Sequence, residues 1–175
     1  MLPLQYGTLA TGQFSYRGPD RVDITLKTYM KLWGFMGPGC FLVPTHDMEH
    51  PDYRLVGGLK HHQQIVSGCA PTAKDAWFLG LTPLTEADYE ERYLEILRTR
   101  YRRNPDYLLS VFMLPGLFFV RPETTLTCYC KAGEYCHRHL AAEVLGKIAL
   151  RHGVALLGGG ERATKPAITQ QPLLV

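Results

Sequence analysis

Residues 4–14 and 21–27 read as two strands, the second on its alternation of apolar Val22, Ile24 and Leu26 with polar Asp23 and Thr25. A period of two predicts strands, and Tyr16-Arg17-Gly18-Pro19-Asp20 supplies a turn between them. The second strand is expected to expose Asp23, Thr25 and Lys27 on one face. Phe41, Leu42 and Val43 form a short apolar run stopped by Pro44, read as a buried strand that hands over to Thr45-His46-Asp47. Ligands in open α/β sheets gather at the carboxyl ends of strands, so Asp47 is a candidate binding residue; it suits a helix cap equally well. Residues 49–84 show no sustained period and read as a long surface excursion.

The second half is helical in period. Thr85-Glu86-Ala87-Asp88 reads as a helix start, and Tyr89, Tyr93, Ile96, Leu97 and Tyr101 then fall on one face of a helix ending near Arg103. That tyrosine stripe is expected to be core rather than a platform for bases. Asn104-Pro105 suits a cap and first position for a short helix through Leu114, with Leu108, Val111 and Phe112 inward. A strand over 126–130 and a helix from about Tyr135 to His152 follow, the helix burying Leu140, Val144, Leu145 and Ile148 and ending at Gly153. Residues 154–157 supply a closing strand. Early strands, interposed helices and a late strand–helix–strand unit predict one α/β domain over 1–160, its sheet covered by helices on both faces, with 161–175 a frayed tail.

Composition narrows the function classes. With 175 residues, 46% of them hydrophobic, the chain can bury a core without staples. A net charge of +3 does not compel a nucleic-acid partner, although Arg98, Arg100, Arg102 and Arg103 make a local basic patch. The five cysteines are odd in number and irregularly spaced, which favours a reducing compartment over a disulfide framework. The start lacks the pattern of a signal peptide, and the longest apolar stretch is broken by Pro115 and Gly116. A cytoplasmic protein without a membrane segment is the expectation. The dinucleotide and phosphate-loop glycine motifs are absent, so no cofactor is expected.

Chemistry concentrates in TLTCYCKAGEYCHRHLAAEVL, where three thiols, two imidazoles and a guanidinium meet at a strand-to-helix junction. Helix starts offer unpaired amides and a positive dipole end. Cys128 and Cys130 share a face if the strand reaches both; Gly133 frees the loop to turn its amides inward; and a thiol at the helix start can be held as thiolate. Arg138 and Lys131 then suit an anion, His137 an acid–base role, and Cys136 or Cys130 a nucleophile. The loop is not that of the cysteine phosphatases, because the residue six beyond Cys130 is Cys136 and not an arginine. Two alternatives stand beside this one. Cys128, Cys130, Cys136 and either His137 or His139 are the donor types that zinc prefers, and neighbouring thiols can serve as a redox sensor. Cys128 also reads simply as a small buried hydrophobe.

The strand–Cys–loop–Cys-His-Arg–helix motif resembles the family catalogued as domain of unknown function 488. TGQF, RVDITLKT and TEADYEERYLEILRTRYRRNPDYLL extend the likeness over about half the chain. The resemblance implies a Rossmann-like α/β fold and a site lined by Cys128, Cys136, His137 and Arg138, with Thr11 and Asp23 to Thr25 contributing from the opposite strands. Cys130 stands where many members have glutamate, which shifts the expected chemistry from a carboxylate to a thiol. The expected partner is a small anionic substrate, a nucleotide or nucleic-acid derivative, bound at the loop from Cys130 to Arg138.

Overall fold

The computed structural model describes residues 5–25, 38–44, 55–68, 81–113 and 120–162. Asp47 and Lys27 lie outside them. Four strands, β1 (Gln5–Gln13), β2 (Arg21–Asp23), β3 (Glu123–Cys128) and β4 (Val154–Arg162), form one sheet in the order β2-β3-β1-β4, and every pairing is parallel. The chain is thus an α/β fold on a parallel sheet. The two early strands are not neighbours, because β3 lies between them. β1 ends level with Cys128 and β2 begins level with Thr125. The chain therefore descends only about 10 Å while crossing two strand spacings of about 5 Å each. That is why residues 14–20 suffice where a parallel crossover usually needs a dozen or more.

Side chains in register on parallel strands share a face. Leu9, Thr11 and Gln13 of β1 stand beside Thr124, Leu126 and Cys128 of β3, with Val22 of β2 beside Leu126. Leu9, Val22 and Leu126 join one buried cluster with apolar side chains from all four described helices: α1 (Leu59–Val66), α2 (Glu86–Arg103), α3 (Pro105–Leu109) and α4 (His137–Arg151). Each such side chain removed from water contributes roughly 1.5–3 kcal/mol. On the other face, Gly12 and Thr125 are crossed by the 14–20 segment. Asp20 accepts hydrogen bonds there from the hydroxyls of Tyr16 (2.6 Å) and Thr125.

Helix α2 begins as its sequence predicts, with the Thr85 and Asp88 side chains forming a reciprocal capping box. Its tyrosine stripe is core: Tyr89 and Tyr93 are fully buried, and their hydroxyls donate to the carbonyls of Gly57 (2.9 Å) and Leu42 (2.7 Å). Arg100 donates to the carbonyls of Phe41 and Val43, and Arg98 and Arg102 pair with Glu95, so most of the basic patch is already engaged.

Several elements differ from expectation. The 41–43 run is not a strand but part of a 3-10 helix, Pro38–Leu42. Gly39 packs so closely there that a Cβ would lie 2.1 Å from the Asp23 carbonyl. The 49–84 excursion contains α1, with Leu59, His62 and Ile65 buried. The short helix stops at Leu109, before the predicted Leu114, which is outside the described residues. Thr25 is buried, not exposed. Strand β4 runs on through Gly158 to Arg162, into what reads as tail. No helix of the described residues is long and apolar enough to cross a membrane.

Candidate thiol site

The site is assembled where β3 ends and α4 begins. β3 delivers Cys128 on the helix-covered face and stops there, so Cys130 sits in the following bend and not on the strand. The loop closes on itself, with Lys131 N–H donating to the Glu134 carboxylate (3.0 Å) and Gly133 at φ 73°. Cys136 takes the N-cap position in extended conformation, but its side chain does not cap the helix. Its sulfur turns back toward the strand. The Sγ atoms of Cys128, Cys130 and Cys136 all lie within 4.8 Å of one another, with Cys128 to Cys130 at 3.8 Å.

His137, the first residue of α4, lies against two of these thiols. Its Nε2 lies 3.2 Å from the Ile24 carbonyl, which can only accept, so that nitrogen carries the proton and Nδ1 keeps its lone pair. Nδ1 faces the sulfurs of Cys136 (3.7 Å) and Cys128 (3.9 Å). The ring is buried, edge-on to Tyr93, and burial lowers its pKa to about 4. It is a neutral imidazole.

Three touching thiols cannot all ionise, because like charges at this range disfavour one another. The charge settles on half-buried Cys130: the S–H groups of Cys128 and Cys136 donate to it and hold its pKa well down. The hydrogen bond to Cys130, with burial, pushes Cys128 up to about 12, and hydrogen bonds with Cys128 and Cys130, with burial, raise Cys136.

Arg138 is placed differently from expectation. Its side chain is fully buried and donates to the carbonyls of Cys130 and Lys131 (2.9 Å each) and to the carboxylate of Glu161 (2.6 Å). The guanidinium thus ties the thiol-bearing loop to β4. Lys131 and His139 are exposed. Thr11 is buried on the same sheet face as Cys128, in register with Leu126 and with Glu161. Asp23, in register with Thr127, points to the opposite face, where Arg21 pairs with it at 3.4 Å and the Thr25 amide donates to it. The structure therefore brings Cys128, Cys130, Cys136, His137 and Arg138 together and leaves Asp23 apart.

Three contributors carry no sequence signal. Ile24 acts through its backbone, Glu161 lies beyond a glycine run, and Gly58 caps α1 over the cluster. A Cβ on Gly58 would meet His137 Nδ1 at 3.4 Å and Cys130 Sγ at 3.7 Å.

The three sulfurs are grouped closely enough to hold one metal ion. Zinc–sulfur bonds of about 2.3 Å and zinc–nitrogen bonds of about 2.0 Å imply sulfur–sulfur edges near 3.8 Å and sulfur–nitrogen edges near 3.5 Å. The Cys128–Cys130 edge (3.8 Å) and the two His137 Nδ1 edges (3.7 and 3.9 Å) are close to these, whereas His137 Nδ1 stands outside the 4.8 Å group of the three sulfurs and would have to move toward Cys130 to close a tetrahedron. A histidine ligand that donates its other ring N–H to a backbone carbonyl is the usual arrangement around such ions. No protein-family model matches the chain, and no curated protein or solved structure matches it significantly.

Proposed function

We propose that the chain is a zinc-binding α/β protein in which Cys128, Cys130 and Cys136 hold one ion that clamps the end of β3 to the start of α4, with His137 Nδ1, which already faces Cys128 and Cys136, closing in as fourth donor. The observation that carries this reading is the mutual approach of three thiols around an imidazole whose free lone pair faces two of them. Soft sulfur donors and a neutral imidazole favour zinc over calcium or magnesium, which take oxygen. Ligands drawn from the end of β3, the bend after it and one helix start make a structural site, and the ion's binding energy becomes folding energy.

A second reading is favoured by the partial exposure of Cys130 alone among the three. In it, Cys130 is a nucleophilic thiolate acting on an anionic, nucleotide-derived substrate, with Cys136 and His137 handling its proton. Because Arg138 is engaged with the backbone, Lys131 and the loop amides would meet that anion.

Native mass spectrometry with metal analysis, followed by timed alkylation, separates the two. The proposal expects one zinc per chain, three protected thiols, and loss of metal in Cys136→Ser. A metal-free chain whose Cys130 alkylates fast and selectively at neutral pH would overturn it in favour of the nucleophile.

A further inference from the structure

The sheet face turned away from the described helices carries its own chemistry. Phe14 directly follows β1 and Tyr129 directly follows β3, so both rings stand at the carboxyl end of adjacent parallel strands. They stack with centroids 4.0 Å apart and planes inclined by 25°. The Arg21 guanidinium lies 4.5 Å from the Phe14 centroid, and Arg17 lies 5.9 Å from it. Tyr129 is nevertheless 53% exposed. A large aromatic stacked on Phe14 on one side, yet half open to water, presents a second π-surface on which no other ring or cation stacks among the described residues.

The charges around this stack are unevenly used. Asp20 is engaged by Tyr16 and Thr125, Asp23 by Arg21, and Glu123 by Arg162. These described carboxylates on this face therefore each have a partner. Arg17 is exposed and has no carboxylate partner among the described residues. A flat π-surface beside one unneutralised, planar cation matches a nucleobase that carries a phosphate: the base stacks and the guanidinium takes the phosphate.

We infer that this face binds a phosphate-bearing nucleobase through stacking on Tyr129 and an ion pair to Arg17. The inference rests on the opposite side of the sheet from the thiols and is independent of any metal there. The same chemistry is offered by a free nucleotide and by a single strand, so the test uses both.

Anisotropy of a labelled 12-residue oligothymidylate and calorimetry with thymidine monophosphate, both at low salt, give the affinities. Tyr129→Ala should weaken binding about tenfold, the loss of about 1.4 kcal/mol of stacking, while Tyr129→Phe should retain it. Arg17→Ala should weaken the oligomer and flatten its salt dependence by about one unit. Tyr129 is exposed, so its variants are expected to fold, and circular dichroism checks this. Tight oligomer with feeble monophosphate binding assigns a single strand; equal affinities assign a nucleotide. No binding of either probe, wild-type affinity in Tyr129→Ala, or equal affinity for an abasic oligomer overturns the inference.

Discussion

Arg138→Met tests whether the buried guanidinium is a clamp on the loop. Methionine fits the stem but removes three hydrogen bonds, two to backbone carbonyls at 2.9 Å and one to Glu161 at 2.6 Å. A bond from a charged donor contributes about 1.5–3 kcal/mol. Solvent recovers part of this, because Lys131 is exposed and the Glu161 side chain is 26% exposed. The expected loss is about 3–4 kcal/mol, the lower part of the range for breaking a buried pair. Urea unfolding at fixed zinc concentration reads it as a fall in midpoint with unchanged slope, roughly 2 M for a slope near 2 kcal/mol/M. Glu161→Gln keeps an acceptor and should cost about 1 kcal/mol or less. A loss under about 1 kcal/mol in Arg138→Met would refute the clamp. Equal losses in the two variants would assign the energy to the ion pair and not to the carbonyls.

Thr85→Ala breaks the capping box of α2 and should cost about 1 kcal/mol in the same assay; no change would mean that the cap contributes nothing. Burial pushes the Asp20 carboxyl up, but hydrogen bonds from Thr125 and Tyr16 together outweigh it and hold the pKa below 3.8. A depressed acid stabilises the fold above its unfolded pKa and loses that contribution as pH falls through the folded one. Asp20→Asn should therefore be less stable at neutral pH and flatter below about pH 4, and parallel acid limbs would contradict this. Gly58→Ala should be nearly neutral, whereas Gly58→Val presses on His137 and Cys130 and should lower zinc content and slow alkylation of Cys130. Full zinc loading at wild-type affinity in Gly58→Val would show that α1 does not cover the site. Zinc chelation should lower the melting temperature of the wild type and leave that of a Cys128→Ser/Cys136→Ser double variant unchanged.

Elements were legible where local signals agreed. The α2 start shows its cap, its N3 acid and its apolar period in the sequence, and all three are realised. The 41–43 run looked like a strand because strand formers fill it, but Arg100 and Tyr93 take its carbonyls, the groups a neighbouring strand would need. Helix α1 was hidden because Leu59 and Ile65 are separated by polar His61, His62, Gln63 and Gln64. The thiols and His137 were legible as chemistry, since their types and proximity in sequence suffice. The role of Arg138 was not: a guanidinium at a helix start reads as an anion ligand, and only the position of the two loop carbonyls and of Glu161 reveals its fork as engaged.

The position of β3 between β1 and β2 bears on how the sheet is made. β1 pairs with residues 123–128 and 154–162, and β2 pairs with β3 alone. No strand of this sheet finds a partner within a hairpin's reach, so every ladder must close a long loop, and folding of such topologies is slow. A ribosome-bound chain shorter than about 120 residues carries β1 and β2 before any of their described partners has been made. Until β3 emerges and slots between them, the edges of β1 and β2 that it will fill stay unpaired by it, and through that interval those edges are what a chaperone would meet.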